Sequence, residues 1–243
     1  MNFARLSGLI LQRGGNRQHK QCCAPQYMAK REKVSMSVIR RLPRYYRFLG
    51  LLESHGIVRI SSKDLAARMG VNASQIRQDF NCFGEFGQQG YGYMVSRLRE
   101  TTGEILGLHN AYKAVVVGAG NLGRAITSHI SFERHGFFLA GIFDNSPQKI
   151  GTFIHDVPVF DVAELEAFCK REKPVMAAIC VPLSAAGRIA DTLYSCGVRS
   201  FWNFTHYDIA MEYSDAIVEN VHLNDSLMTL CYRISNPEQK ASL

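Results

Sequence analysis

Gly118-Ala119-Gly120-Asn121-Leu122-Gly123 is a G-x-G-x-x-G run, and the chemistry of that pattern is the binding of a dinucleotide pyrophosphate. Gly118 makes a tight turn, Gly120 lets the backbone approach the phosphates, and Gly123 lets the following helix pack closely on the preceding strand. Ala119, Asn121 and Leu122 fall at a helix start, whose free amides and positive dipole end attract phosphate. The run alone is a weak signal, but its surroundings are those the unit requires. Ala114-Val115-Val116-Val117 before it reads as a buried parallel strand, and Arg124-Ala125-Ile126 after it as helix. A second strand, Phe138 to Asp144, ends in an acid 21 residues past Gly123, against an expected spacing of about 20. Asp144 can accept from a ribose 2′-hydroxyl and would repel a 2′-phosphate, so NAD(H) is favoured over NADP(H).

A second constellation lies upstream. Ser61-Ser62-Lys63-Asp64-Leu65-Ala66-Ala67-Arg68-Met69-Gly70-Val71 opens with Ser61 and Asp64 at capping-box spacing, which would satisfy two free amides at a helix start. Gly70 suits the turn that closes this short helix. Asn72 with Gln75 repeats the spacing, and Ile76 and Phe80 give a second helix its apolar face. Two short helices joined by a Gly-containing turn make a helix-turn-helix. The second helix of that motif enters the major groove and its first turns face base edges. Here those residues are Asn72, Ala73, Ser74, Gln75, Arg77 and Gln78. Asn and Gln can pair bidentately with adenine, and Arg with guanine, while Ser61 and Ser62 stand at a helix start that faces phosphate. A packed helical hairpin would explain this pattern equally well by itself. Added weight comes from Phe83-Gly84-Glu85-Phe86-Gly87-Gln88-Gln89-Gly90-Tyr91-Gly92-Tyr93, whose four glycines and interleaved aromatics suit a β-hairpin. Beside a helix-turn-helix, such a hairpin is a wing along the DNA backbone or into the minor groove, with Gln88, Gln89 and Tyr91 at the DNA. Tyr91 and Tyr93 fit packing equally well, and neither is assigned a base.

Two modules are needed to hold these residues. Val38, Ile39, Leu42, Tyr45, Tyr46, Leu49 and Leu52 recur at helical spacing, with Pro43 in the early turns and His55-Gly56 at the end. Val58 to Ile60 reads as a short strand, and Arg97 and Arg99 open a helix running through Ile105 and Leu108. Together these give a winged-helix domain over residues 34–110, its helix-turn-helix at about 45–84. Residues 111–223 alternate as a doubly wound parallel sheet of Rossmann type. Val162 to Phe168 is helical and Val175 to Val181 a strand ended by Pro182. Ser184 caps the next helix, Gly197 terminates it, and Ser200 to Phe204 is another strand. Ligands sit beyond the carboxyl ends of such strands, so Val181, Pro182, Asn203 and Phe204 are candidate nicotinamide neighbours. Pro182 and Phe204 serve equally as a strand end and a core filler. Residues 224–243 hold one amphipathic helix with Leu227, Leu230, Cys231 and Ile234 on a stripe, to be buried on its own sheet or by a second copy.

Charge is divided unevenly over the 243 residues. Residues 1–33 carry seven Lys/Arg against one acid, residues 34–100 ten against five, and residues 101–243 eleven against fifteen. A basic front on an acidic body suits an anion-binding module followed by an ordinary globular one. Wholesale disorder, a collagen-like chain and a membrane span are excluded by composition, since no apolar run approaches membrane length. Residues 1–33 have no periodicity that could bury a core. They are expected to be a disordered basic extension, with Met28 serving equally as a start. Seven cysteines without C-x-x-C spacing point to a reducing cytoplasm, and no Cys/His spacing suggests a metal site. A dehydrogenase would need a substrate domain, and the twenty residues after 223 are too few to form one. His129, His135, His155 and His206 are scattered. An enzyme is therefore not expected; a small NAD-dependent oxidoreductase and a thiol-based redox regulator using Cys82 stand as the alternatives.

Taken together, these residues resemble the Rex family of redox-sensing transcriptional repressors. The resemblance covers residues about 34–235. It is carried by S-S-x-x-L-A-x-x-x-G-V-x-x-x-Q-I-R-x-D-F at 61–80, F-G-x-F-G-x-x-G-x-G-Y at 83–93, G-A-G-N-L-G at 118–123, F-D-x-x-P-x-K-I-G at 143–151 and V-E-N-V at 218–221. It implies a homodimer whose C-terminal helices are exchanged, binding palindromic double-stranded operators and released by NADH, with NAD⁺ competing weakly. It also adds Lys149 to the cofactor residues and makes Arg47 the relay between winged domain and nicotinamide pocket. His129 and His222 stand where other members carry Tyr and Asp that pair across the dimer, and Gln89 replaces a basic wing-tip residue. The family's nucleotide domain is similar to CoA-binding Rossmann domains, which makes that ligand one to test.

Overall fold

The computed structural model describes residues 34–84, 87–88 and 91–237, and of Gly87 and Gln88 only the backbone pairing. The basic extension 1–33 and the wing residue Gln89 lie outside the described residues.

Helical spacing buries Leu42, Tyr45, Leu49 and Leu52 on one face of a helix, Leu42–Ser54. The single predicted helix is in fact two, α1 (Met36–Ile39) and α2 (Leu42–Ser54), parted at Arg40-Arg41. Pro43 explains the break. It has no N–H and its ring excludes a carbonyl one turn back, so it is tolerated only in the first turn. After β1 (Arg59–Ile60) come α3 (Ser62–Met69) and α4 (Ala73–Asn81), with Gly70 in the left-handed conformation between them. β2 (Gly87–Gln88) and β3 (Gly92–Met94) complete an antiparallel sheet of order β1-β3-β2. This is the winged helix the sequence predicts. Helix α5 (Val95–Ile105) packs on α2 and is capped at Leu106, short of the expected Leu108.

The second module is built on seven strands: β4 (Tyr112–Val117), β5 (Phe137–Asp144), β6 (Phe153–Ile154), β7 (Val157–Asp161), β8 (Met176–Ile179), β9 (Ser200–Asn203) and β10 (Ile217–Asn220). Their spatial order is β10-β9-β8-β4-β5-β7-β6, all parallel except the edge strand β6. Six of them follow the doubly wound dinucleotide-binding order, in which the strand sequence reverses between β4 and β8. Alternation along β4 feeds both faces. Val115 and Val117 join Phe143, Phe168, Leu193 and Phe201 on one side, while Ala114 and Val116 join Ile126, Ile142 and Met176 on the other. Helices α6 (Asn121–His129), α7 (Leu165–Glu172), α8 (Leu183–Ser195) and α9 (Ile209–Glu212) flank the sheet.

Some local expectations fail for identifiable reasons. No helix joins β5 to β7; a turn through Pro147 and the β6–β7 hairpin take its place. Ser184 does not cap α8 but lies inside it. The cap position is Pro182, extended at φ −60° and ψ 150°, whose carbonyl accepts the Ala185 N–H. Ser61 accepts the Asp64 N–H as a capping box requires, but the Asp64 carboxylate takes the Ser61 hydroxyl, so only half of the box forms. Asn72 caps α4 through Ser74, whose N–H and hydroxyl both bond its side-chain oxygen, and Gln75 takes no part. The last helix, α10 (Leu223–Ser235), buries none of its residues, with Leu227 64% and Ile234 70% exposed. It does not dock on its own sheet.

Candidate nucleotide and nucleic-acid sites

The glycine-rich loop sits at the reversal point of the sheet, between β4 and α6. Gly118 has φ 104°, and a side chain there would overlap the Cys180 carbonyl oxygen; one at Gly123 would overlap the carbonyl oxygen of Gly118. The loop therefore folds back on itself only as glycine. A Cβ at Gly120, in contrast, would meet nothing within 4 Å, which leaves the side from which phosphate approaches open. Helix α6 starts without a side-chain cap, so the amides of its first turn, Asn121 and Leu122 among them, are available to an anion.

Asp144 closes this cradle from the end of β5. Its Oδ2 accepts the Ala119 N–H at 2.7 Å and the Lys149 ammonium at 3.1 Å, and its Oδ1 accepts the Ser146 N–H at 2.9 Å. Burial pushes the carboxyl up. The Ser146 N–H, Lys149 and the Ala119 N–H outweigh it and hold the pKa below the ordinary aspartate value. A carboxylate has about four acceptor sites, so one is left for a ribose hydroxyl. Asp144 thus braces the glycine loop and keeps one acceptor site open, and Lys149 is drawn in with it.

At the strand exits, Val181 is half-buried and Pro182 exposed. Phe204 packs edge-on against Trp202 at 4.7 Å and lines a cavity of about 130 Å³ with Leu122, His206, Val221 and His222. Asn203 is fully buried with every valence spent: Nδ2 donates to Tyr207 O and Asn220 Oδ1, and Oδ1 accepts from the Thr205 N–H and hydroxyl. It can act on a ligand only by holding the turn that presents Phe204. His222 heads α10, with Nε2 3.2 Å from Thr205 O and Nδ1 3.5 Å from Asp225, and its ring stacks on His206 at 5.0 Å. His206 was legible only as a scattered histidine. His129 is exposed at the end of α6, and no bond joins it to His222 among the described residues. Arg47 is exposed on α2 with no partner among the described residues.

On the winged helix, Ile76, Asp79 and Phe80 are buried while Asn72, Ser74, Arg77 and Gln78 are exposed; Ala73 and Gln75 are half-buried. Arg77 donates to Ser62 Oγ at 3.1 Å. The wing tyrosines separate cleanly. Tyr93 is buried with its ring 5.7 Å from Phe80, whereas Tyr91 is 70% exposed and its carbonyl accepts from Arg59. Sequence inspection missed the group that seats this helix. Asp79 binds Arg41 through two hydrogen bonds of 2.7 and 2.6 Å and accepts the Tyr45 hydroxyl at 2.7 Å. An acid on the apolar side of a helix was the available signal, because a buried carboxylate demands a cation. Arg44 adds a bond to Met69 O, so α2 grips both helices of the motif. Burial pushes the Cys169 and Cys180 thiols up to about 12 and leaves them inert, while exposed Cys82 donates to Gln78 O. No cluster of metal-ligating side chains occurs among the described residues.

A winged-helix reading head joined to a Rossmann-type nucleotide cradle defines a nucleotide-responsive DNA-binding regulator. Residues 33–81 match the family described as "Putative DNA-binding protein N-terminus", and residues 109–207 match the CoA binding domain. The chain belongs to the Rex family of redox-sensing transcriptional repressors. It is 49% identical to the redox-sensing transcriptional repressor Rex of Thermoanaerobacter pseudethanolicus over 211 residues, 87% of this chain and 94% of that one. Identity to Rex of Clostridium perfringens is 46%, over 88% of this chain and all of the relative. Among solved structures, that of RSP with β-NAD⁺ and operator DNA is 50% identical with a TM-score of 0.78, covering 84% of this chain and 94% of that one. RSP with β-NADH is 47% identical, with a TM-score of 0.77 and coverage of 85% and 96%. The relatives are regulators, and the oxidoreductase alternative falls with that kinship. No helix among the described residues is long and apolar enough to cross a membrane.

Proposed function

We propose that this chain represses transcription by binding palindromic double-stranded operators as a homodimer, and that NADH releases it. The observation that carries this is the presence, in one chain, of an exposed recognition helix and an open dinucleotide cradle, matched to a relative solved with both ligands. The ligand supplies the redox signal through the charge and planarity of its nicotinamide ring. The chain holds its pyrophosphate with the 118–123 loop and the first turn of α6, and its ribose with Asp144 and Lys149. Val181, Pro182 and Phe204 flank the ring. Arg47 relays its state to the winged domain, with His129 and His222 acting across the dimer. Ser61, Ser62, Asn72, Ala73, Ser74, Gln75, Arg77, Gln78 and the wing residues Gln88, Gln89 and Tyr91 meet DNA.

The exposed stripe of α10 is covered by the second copy, exchanged between subunits, with residues 111–223 as the body and 34–110 as the reading head. A cytoplasmic location completes this reading. A mobility-shift titration of the operator with NADH, NAD⁺ and NADPH tests it. NADH should release DNA at concentrations far below those of NAD⁺, and Asp144→Ala should narrow the preference for NADH over NADPH. If peroxide released DNA from wild type but not from Cys82→Ser, with NADH inert, the thiol alternative would replace it. Coenzyme A belongs in the same titration because of the CoA-binding kinship, and is expected to leave the complex intact.

A further inference from the structure

Side chains around an α-helix are separated by about 100° per residue, so the buried side of α4 fixes which residues face outward. Ile76, Asp79 and Phe80 pack inward. The opposite direction belongs to Ser74, Gln78 and Asn81, spaced i, i+4 and i+7, and all three are exposed. Arg77 is not on that line. It follows Ile76 and precedes Gln78 on the helix flank, and its guanidinium turns toward the start of α3, where Nη1 donates to Ser62 Oγ at 3.1 Å. Its charge also reaches Tyr93 on the wing, partly offsetting the upward push of burial on that phenol. Ser61, next to Ser62, lines a groove of about 240 Å³ with Arg59, Arg68 and Tyr91; Asp64 lines it too, its carboxylate taken up by the Ser61 hydroxyl. Through Ser62 and Tyr93, Arg77 thus stands beside the junction of helix-turn-helix and wing, where Arg59 and Arg68 line the neighbouring groove.

A helix lying in the major groove presents its outward line to base edges and its flanks to the sugar–phosphate walls. We infer that Arg77, held by Ser62, grips a backbone phosphate and sets the register of α4 in the groove, while base discrimination on this helix falls to Gln78 with Ser74 and Asn81. This rests on the DNA-binding reading and removes Arg77 from the guanine-reading role that residue type alone suggests. Ser74 is partly spent in capping, since its hydroxyl bonds Asn72 Oδ1. Gln78, by contrast, has a free amide that can pair with adenine in two bonds.

The test is an anisotropy titration of the full chain against two duplexes over a range of salt concentrations. One duplex is recovered by selection from a random pool with wild type, and the other is its scrambled counterpart. Arg77→Ala should weaken both duplexes by a common factor, roughly tenfold or more. It should also flatten the log–log salt slope by about 0.9 for each phosphate no longer neutralised. Arg77→Lys, which keeps a point charge but lacks the rigid planar fork that makes arginine a selective guanine reader, should retain the operator-to-scrambled ratio. Gln78→Ala should lower that ratio roughly tenfold while leaving scrambled-duplex affinity and salt slope unchanged. Loss of the ratio in Arg77→Lys, with scrambled-duplex binding intact, overturns the assignment, as does an unchanged ratio in Gln78→Ala. Wild type that binds neither duplex at low salt overturns the DNA-binding reading itself, so the two failures are distinct. An unchanged melting temperature and NADH affinity in each variant show that the fold is intact.

Discussion

Two buried acids do different work in the two domains, and their company explains how. Asp144 spends itself mainly on main-chain N–H groups and one lysine, Asp79 on a guanidinium and a phenol. Because the folded pKa of Asp144 is depressed, its contribution to stability is fully present above the unfolded value near 3.9 and is lost as pH falls through the lower folded value. Asp144→Asn should therefore cost about 1–3 kcal/mol at pH 7, and the gap to wild type should close below about pH 4 in denaturant titrations. Arg41→Ala is the harsher change. It strands the 3%-exposed Asp79 side chain without its cation, and should cost about 3–5 kcal/mol by thermal or denaturant unfolding. At this scale the sequence was a partial guide. Glycine spacing located the cradle, since only glycine fits those backbone contacts. Asp79 showed itself only as an acid on an apolar helix face, and its partner could not be named because it lies 38 positions away.

Helix starts and sheet crossovers were legible in proportion to how local their causes are. Asn72 caps α4 by bonding a residue two positions on, and Asn72→Ala should cost about 1 kcal/mol. Ser184 has the right residue type at the wrong register, because Pro182 fixes the entry to α8; Ser184→Ala should change stability by less than about 0.5 kcal/mol. Calorimetry on the two variants separates the cases. Strands β4 and β5 announce themselves as long apolar runs. By contrast, β6 has two residues, β7 carries a proline, and β10 is largely exposed, so none carries a pattern that predicts it. The fate of α10 could not be read at all, since an apolar stripe does not say which surface covers it. Leu227→Asp with Leu230→Asp should convert dimer to monomer in light scattering while sparing the NADH cradle.

Across the whole molecule, the reading head and the cradle are joined through α5 and the turn at Leu106–Ala111, so one ligand can reach the other's site only by shifting the arrangement of the two domains. Linkage then imposes a measurable equality. The factor by which saturating NADH weakens operator binding must equal the factor by which saturating operator weakens NADH binding, and a few kcal/mol of coupling suffices for a switch. Calorimetric NADH titrations with and without duplex check it; unequal factors would mean that the two titrations do not close one equilibrium cycle, as when subunits dissociate in only one of them. The basic excess of residues 34–100 lies in the domain that meets DNA, and the acidic excess behind it keeps the body off the same polyanion. The uncovered α10 carries a different consequence. A 13-residue helix with no buried side chain is marginal in water; in the proposed dimer it is therefore held by the partner, which would make the chain's folding a function of its own concentration. Diluted protein should lose helicity and become sensitive to proteolysis at its C-terminal end. The cell would then clear subunits in proportion to the number left unpaired, so that assembly itself sets how long each copy survives.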